Sequence, residues 1–317
     1  MVSKSVHVAV AVIVNASGEV LIAKRASHQH QGDKWEFPGG KVEAGEDVTK
    51  ALIRECQEEL NIIVKPSRRL IVIKHDYGDK SVMLDVWYVN HLSGEPVGLE
   101  GQPIQWVAKE ALWSYTFPAA NKPIIRAIQL PSEYVITGDF TDQNELFSEV
   151  KRLIGEGYCL IQFRAPQLSE QNYLAIASEL LVFCEAAGCQ LILKGSPQSI
   201  YQLGGNGLHL TAQQLKQVSM ADIEPFKQSG YLLAASCHNE EELKRAEILG
   251  VDLVTLSPVT HTPSHPDVIP LSKDECEMLT LQATMPVFWL GGMTQEQLSL
   301  AWSRGAQGIA SIRAYWQ

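Results

Sequence analysis

Hydrophobic and polar positions follow two regimes along the chain. Up to about residue 130 they outline strands of unequal length around one strongly amphipathic stretch. Residues 6–14 are a continuous apolar, β-branched run, Asn15-Ala16-Ser17-Gly18 supplies turn chemistry, and residues 20–25 predict a hairpin's return strand. Further strands are expected over 69–75, 82–92 and 104–107, and a closing helix over 122–128, with Pro123 tolerated near its start. Between Asp47 and Leu60 there is no Gly or Pro, and Val48, Leu52, Cys56 and Leu60 recur every four residues. That spacing predicts a helix with one buried stripe.

Beyond Pro131 strands and helices alternate strictly. Short apolar strands are expected over 134–137, 158–164, 189–194, 207–210, 231–236, 253–257, 287–290 and 309–312, with helices clearest over 170–187, 240–249 and 295–304. Eight such alternations predict a (β/α)8 TIM barrel; an open, doubly wound sheet is the rival topology that periodicity alone leaves standing. The expected organisation is therefore an α+β domain, a mixed sheet with helices, over residues 1–130, and an α/β barrel over 131–317.

Composition narrows the function classes. The chain has 317 residues, 45% hydrophobic and 20% charged, which is ordinary for a globular protein. A formal charge of −10 argues against gripping a nucleic-acid polymer, but not against a mononucleotide held through metal ions. Cysteines 56, 159, 184, 189, 237 and 276 form no C-x-x-C pair and mostly sit in apolar runs, as reduced core residues of a cytoplasmic protein do. Met1-Val2-Ser3-Lys4-Ser5 leads into a strand rather than a signal sequence, and no apolar segment approaches membrane-span length, so no membrane partner is expected.

Candidate chemistry gathers on the amphipathic helix. Glu55, Glu58 and Glu59 are spaced i, i+3, i+4, and Gly39-Gly40 and the acidic turn around Glu46 lie just ahead of them. One reading is a solvated acidic face. The other is a site for a hard divalent cation, which takes carboxylate and carbonyl oxygens and joins them to substrate phosphates. Gly40, five residues, Glu46, seven residues, then Arg54-Glu55-x-x-Glu58-Glu59 resembles the signature of the Nudix hydrolases. Cys56 stands where that family usually has an aliphatic residue and Asn61 where it has Gly. Cys56 should still pack, and Asn tolerates a left-handed helix end.

Arg25, Trp35-Glu36-Phe37-Pro38, Glu95-Pro96, Glu100-Gly101-Gln102-Pro103 and Phe117-Pro118-Ala119-Ala120-Asn121 extend the resemblance to the MutT subgroup, over nearly all of residues 5–128. That subgroup hydrolyses oxidised guanine nucleotides such as 8-oxo-dGTP. The resemblance implies a Mg²⁺ cofactor, for which Mn²⁺ can substitute, and a nucleoside triphosphate substrate. It implies Glu55, Glu58, Glu59 and the Gly39 carbonyl as metal ligands, Glu100 as a further ligand or base, Asn121 as reader of the purine, Phe37 in the base pocket, and Arg25 toward phosphate or the pocket rim. Arg54 is expected to pair with the carboxylates and fix their rotamers. Asn121 also reads as a turn or cap residue, and Glu100 as an exposed loop residue.

The second segment carries its own resemblance. Residues 134–137, 161–164, 207–210 and 235–238, Ser257-Pro258-Val259-Thr260-His261-Thr262-Pro263 and Leu290-Gly291-Gly292-Met293 look like thiamin-phosphate synthase and its TenI relatives. The resemblance implies phosphate binding at Gly291, Gly292 and Arg313, and a thiamin-related phosphate as ligand. Departures weigh as much as matches. Gly195 and Gln214 stand where the synthases hold Mg²⁺-pyrophosphate with two aspartates, and Pro166 and His265 stand where lysines are expected. Synthase activity is therefore not expected. His238 stands where TenI-type tautomerases place a catalytic His; it reads equally as a strand-end His bonded to a loop. The leading expectation is a Mg²⁺-dependent pyrophosphohydrolase of oxidised purine nucleotides fused to a degenerate barrel. The alternative is hydrolysis of thiamin-pathway pyrophosphates, with the barrel as a binding module or tautomerase-like domain.

Overall fold

The structure is a computed structural model that describes residues 5–261 and 269–316. The chain divides into two compact units, Met1–Gln129 and Leu130–Gln317. His265, with Thr262, Pro263 and Ser264, lies outside the described residues.

In the first unit β1 (Val6–Ile13) is central to a four-stranded sheet, flanked by β4 (Gly39–Lys41) and β6 (Ser81–Ser93), with β5 (Ile63–Asp76) beyond β6. β2 (Glu19–Lys24), β3 (Trp35–Glu36) and β7 (Ile104–Ala108) form a second, three-stranded sheet. The unbroken apolar run of β1 has a direct cause. Ala9, Ala11 and Ile13 pack with the buried face of α1 (Val48–Leu60), while Val10 and Val12 pack with α2 (Lys122–Gln129), so both faces of the strand are covered.

The expected hairpin is corrected here. The turn exists, with Asn15 N–H bonded to the Glu19 carbonyl at 3.0 Å, but β1 and β2 share only the bridge Val14–Val20 before entering different sheets. β1 pairs parallel with β6, and β2 pairs antiparallel with β7. Alternation identifies a strand; it carries no information on which distant strand completes its hydrogen bonds. β5 also starts earlier than its apolar core suggests. Register shifts between Ile63 and Val64, Pro66 and Arg68, and Arg69 and Ile71 carry it past Pro66, which has no N–H to offer a regular ladder.

The second unit is a ring of parallel strands: β8 (Glu133–Ile136), β9 (Leu160–Gln162), β10 (Gln190–Ile192), β11 (Gly207–Leu210), β12 (Leu232–Cys237), β13 (Leu253–Leu256), β14 (Val287–Leu290) and β15 (Gly308–Ser311). Their order is β10-β9-β8-β15-β14-β13-β12-β11, and the parallel bridge Leu193–Leu208 joins the two ends. The barrel is thereby chosen over the open sheet. Side chains alternate as a closed ring requires. Tyr134, Ile136, Leu160, Ile192, Ala234, Leu253 and Phe288 fill the inside, and Val135, Ile161, Leu191 and Val254 pack outward under the helices. Those helices are α3 (Gln143–Gly155), α4 (Glu170–Ala186), α5 (Pro197–Gln202), α6 (Ala212–Gln217), α7 (Met220–Gln228), α8 (Glu240–Leu249), α9 (Lys273–Gln282) and α10 (Leu298–Ser303). The helix expected over 295–304 is a 3-10 turn, Gln295–Gln297, followed by α10.

None of the six cysteines is in a disulfide; five are buried, as expected of most of them, and Cys159 is exposed. Among the described residues no helix is long and apolar enough to cross a membrane.

Candidate active site

Helix α1 is well defined at both ends. The Asp47 carboxylate accepts from Thr49 N–H at 2.8 Å, and Asn61 closes the helix with φ 55° and ψ 34°, the left-handed conformation that glycine usually supplies. Leu52, Cys56 and Leu60 are buried, and burying each Leu contributes roughly 1.5–3 kcal/mol. That buried stripe turns the acidic face toward the Gly39-Gly40 turn on β4.

Arg54 organises the acidic residues. Its guanidinium donates twice to Glu46 (3.0 and 2.9 Å), to Glu55 at 2.7 Å, to Glu58 at 3.0 Å and to the Lys41 carbonyl at 3.1 Å. The Arg54 hydrogen bonds, with one from Glu43 N–H, bring Glu46 down to about 2. A Cβ at Gly40 would lie 2.2 Å from the Glu55 carboxylate, so any larger residue there would displace Glu55. Glu59 turns away from Arg54. Its carboxylate accepts from Gly39 N–H at 3.3 Å, and burial pushes it up to about 8, against the Gly39 bond and with help from the charges of Glu36, Glu55 and Glu100.

Glu59 opens on a cavity of about 310 Å³ that Arg25, Glu36, Glu100 and Gln102 also line. Arg25 pairs with Glu36 and donates from Nε to the His30 carbonyl at 3.1 Å. Burial raises Glu36 above the usual carboxylate range, Arg25 works the other way, and Glu100 adds to the rise. Arg25, Glu59 and Glu100 thus share one cavity, whereas Arg54, Glu55 and Glu58 form the adjoining network on α1 and line none of it. Phe37 is buried in the core, stacked on Phe117 with ring centroids 5.3 Å apart. Asn121 is buried ahead of α2, and its backbone N–H bonds the Pro118 carbonyl at 3.0 Å. Glu36 and Gln102 were not singled out by sequence. Both stand inside motifs that were, one residue from Phe37 and two from Glu100, and only the fold turns them into the cavity.

The donor set is all oxygen, which suits a hard divalent cation. Like charges gathered at Glu36, Glu55, Glu59 and Glu100, with Glu59 pushed toward neutrality, are what a cation would relieve. Among the described residues no three acidic, His or Cys side chains already converge as a cage, because Arg54 engages Glu55 and Glu58 while Gly39 engages Glu59.

The barrel has its own cavity, about 970 Å³, at the C-terminal ends of the strands. Gly291 and Gly292 (φ 102° and 63°), Arg313 and His238 line it. His238 Nδ1 lies 2.9 Å from Glu242, which also bonds Lys216 at 3.0 Å. Burial opposes the charge on Glu242, but the bonds from His238 and Lys216 prevail and hold it below the usual range. Gly195 and Gln214 line none of the cavity. The Gln214 amide donates to the Gly195 carbonyl at 2.8 Å, and its oxygen accepts from Thr211 N–H at 2.9 Å to cap α6. Part of the cavity wall is a polar chain that includes Gln162, His209 and Ser236: Gln162 and His209 Nδ1 each bond the buried Tyr134 Oη at 3.1 Å, and His209 Nε2 bonds Ser236 at 2.8 Å.

Oxygen donors on a rigid helix, facing a glycine turn and an anionic cavity, are the equipment of a hydrolase that acts on phosphoric anhydrides. Family profiles make this specific: the NUDIX domain matches residues 9–127, and thiamine monophosphate synthase (TMP-TENI) matches residues 133–315. The chain belongs to the Nudix hydrolases through its first unit and to the thiamine monophosphate synthase/TenI family through its second. It is similar to the 8-oxo-dGTP diphosphatase of Escherichia coli K12, 37% identical over 126 residues, 40% of this chain and 98% of that protein. It is also similar to a putative thiamine-phosphate synthase 2 of Aquifex aeolicus VF5, 27% identical over 189 residues, 59% of this chain and 99% of that protein. The CTP pyrophosphohydrolase of Escherichia coli K12 is 31% identical over 118 residues, 37% of this chain and 87% of that protein.

Proposed function

We propose that the first unit is a Mg²⁺-dependent nucleoside triphosphate pyrophosphohydrolase that converts 8-oxo-dGTP to 8-oxo-dGMP and pyrophosphate, sanitising the nucleotide pool of the cytoplasm. Glu55, Glu58, Glu59 and the Gly39 carbonyl would hold Mg²⁺ or Mn²⁺, with Glu100 as a further ligand or base. A divalent ion bound there neutralises triphosphate oxygens and acidifies a water molecule. Arg54 holds Glu55 and Glu58 in fixed rotamers, and Arg25, anchored by Glu36, presents its remaining donors to phosphate.

One observation carries the purine reading: Asn121 is 7% exposed, and its side-chain amide makes no hydrogen bond among the described residues. An amide left that way offers two donors and an acceptor to a base edge. The similarity to a CTP pyrophosphohydrolase makes a pyrimidine nucleotide the rival substrate. Steady-state kcat/KM for 8-oxo-dGTP, dGTP and CTP on one preparation decides between them; a preference for CTP sinks the purine reading.

A second reading concerns the barrel, which we take as a binding module for a thiamin-related phosphate, or a tautomerase-like domain acting through His238, rather than a synthase. The observation favouring it is Gln214, occupied with the Gly195 carbonyl and the α6 cap where a metal clamp would need carboxylates. Thermal shift of the full chain with thiazole phosphate tests it, since a bound ligand raises apparent stability by mass action.

A further inference from the structure

Three of the six cysteines gather at the N-terminal ends of β9 and β10, the end of the barrel opposite its cavity. In the register of these parallel strands Leu160 stands beside Gln190, and Gln190 N–H donates to the Cys159 carbonyl at 2.8 Å. One residue further back, the same register sets Cys159 beside Cys189. Leu160 and Ile192 point into the barrel and Ile161 and Leu191 point outward, so alternation turns Cys159 and Cys189 to the same outer face. Cys189 is packed there under the helices, 6% exposed, and Cys159 opens to solvent. Neighbouring strands run about 4.8 Å apart, inside the Cα separation of about 4.4–6.8 Å that a disulfide bridges.

Cys184 reaches the same spot from α4. Gly188, at φ 67°, reverses the chain: its N–H bonds the Glu185 carbonyl at 3.0 Å, and Cys189 N–H bonds the Cys184 carbonyl at 2.9 Å. A helix end closed by that pair of bonds brings the side chains at its two outer positions, here Cys184 and Cys189, into contact. Their thiols hydrogen-bond to each other, and that bond, with burial, holds Cys189 well above the ordinary thiol range. Cys189 is therefore a protonated thiol shielded from solvent, one step from a thiol that meets it. Packing accounts for Cys184 and Cys189, since a buried Cys is a small hydrophobe. It gives no reason for a third thiol on the exposed position beside them.

We propose that Cys159 and Cys189 form an oxidisable thiol pair, a modification site whose co-reactant is hydrogen peroxide. Cys159, as its thiolate, attacks one peroxide oxygen. The O–O bond breaks, the sulfur is oxidised to a sulfenic acid, and the other oxygen leaves as hydroxide, which takes up the proton Cys159 gave away. The Cys189 sulfur then displaces hydroxide from the sulfenic acid, and its own proton leaves with that oxygen as water. In sum, two thiols and one peroxide give one disulfide and two waters. The bond ties β9 to β10 across α4. The site lies wholly in the second unit and needs neither the nucleotide chemistry of the first nor a ligand in the barrel cavity. Transient disulfides of this kind occur in compartments that otherwise keep thiols reduced.

Disulfide mapping by mass spectrometry tests the site, on full chain that is reduced, exposed to hydrogen peroxide, alkylated and digested with trypsin. A bond between Cys159 and Cys189 is expected, reversed by dithiothreitol, lost in Cys159→Ser and in Cys189→Ser, and retained in Cys184→Ser. In Cys189→Ser the oxidation of Cys159 should stop at the sulfenic acid, which dimedone labels. Oxidised wild type should melt above reduced wild type, because a loop closed across α4 restricts the unfolded chain. Cys159→Ser, a substitution at an exposed position, should show no such rise. Three outcomes overturn the proposal: Cys159 running on to sulfinic acid while Cys189 stays a thiol, a Cys184–Cys189 bond that forms equally in Cys159→Ser, or a bond between the Cys159 residues of two chains.

Discussion

The side-chain amide of Gln102 joins Glu100 to Glu59: its oxygen accepts from Glu100 N–H at 2.8 Å, and its nitrogen donates to the Glu59 carbonyl at 3.1 Å. The same carbonyl accepts from Leu99 N–H at 2.9 Å, and the Leu60 carbonyl accepts from Val97 N–H at 3.0 Å. Carbonyls in the last turn of a helix lack intrahelical partners, and here the loop carrying Glu100 uses them to dock. Gln102→Ala should therefore release Glu100 from its place opposite Glu59. A loss of about 1.4 kcal/mol of transition-state stabilisation is expected, about tenfold in kcat, with little change in KM. Unchanged kcat in the folded variant would show that the loop is held without Gln102.

The Arg54 network makes a sharper claim. Glu55→Gln, Glu58→Gln and Glu59→Gln should each leave the fold intact, because helix propensity barely changes. Hydrolysis should fall by orders of magnitude, with at least one variant shifted in its Mg²⁺ dependence. Near-normal turnover in all three would restore the solvated-face reading of α1.

Base recognition rests on Asn121. Asn121→Ala should reduce discrimination between 8-oxo-dGTP and dGTP by roughly 1–3 kcal/mol, the scale of a lost buried hydrogen bond. kcat should fall less than kcat/KM, because Glu55, Glu58 and Glu59 lie on a different element. Measuring Tm alongside both kcat/KM values separates base reading from folding. An unchanged substrate ratio in a stable variant removes Asn121 from the base site.

The buried polar chain of the barrel predicts a pH dependence. Burial, with the charge of Lys194, depresses His209 from 6.5 to about 3, so the folded barrel holds it neutral while the unfolded chain protonates it near its ordinary value. The unfolded state then binds more protons as pH falls below about 6.5, and stability declines toward the folded value. Going from pH 7 to pH 5 should cost about 2 kcal/mol through this group alone. His209→Asn should flatten that part of the profile; an unaltered pH profile in the variant would show that His209 does not set it.

Thiamin phosphate should not form above background when the chain is supplied with hydroxymethylpyrimidine pyrophosphate, thiazole phosphate and Mg²⁺. The absence of carboxylates at Gly195 and Gln214 motivates this expectation. Product that persists after Glu55→Gln inactivation of the first unit would overturn it.

Much of the chemistry was legible locally. The four-residue period of Leu52, Cys56 and Leu60 is intrinsic to a helix, so the spacing of Glu55, Glu58 and Glu59 could be read directly, as could the left-handed end at Asn61. The barrel strands could be read the same way, because each is short, apolar and bounded by turn residues. Their inward and outward alternation could not, since a strand buried on both faces carries no polar stripe to orient it.

What the sequence by itself determined is therefore what depends on neighbours along the chain: helix faces, strand positions, and the substitution of Gly195 and Gln214 for acidic residues. Only the tertiary structure decided what depends on distant partners. It sent β1 and β2 into different sheets, closed the barrel at Leu193 and Leu208, and turned Glu36 and Gln102 toward Glu59. The physical reason is the range of the interactions. Helical periodicity follows from bonds spanning four residues. Sheet pairing and the desolvation of a charge depend on which remote surfaces meet, and no local pattern of residue types records that.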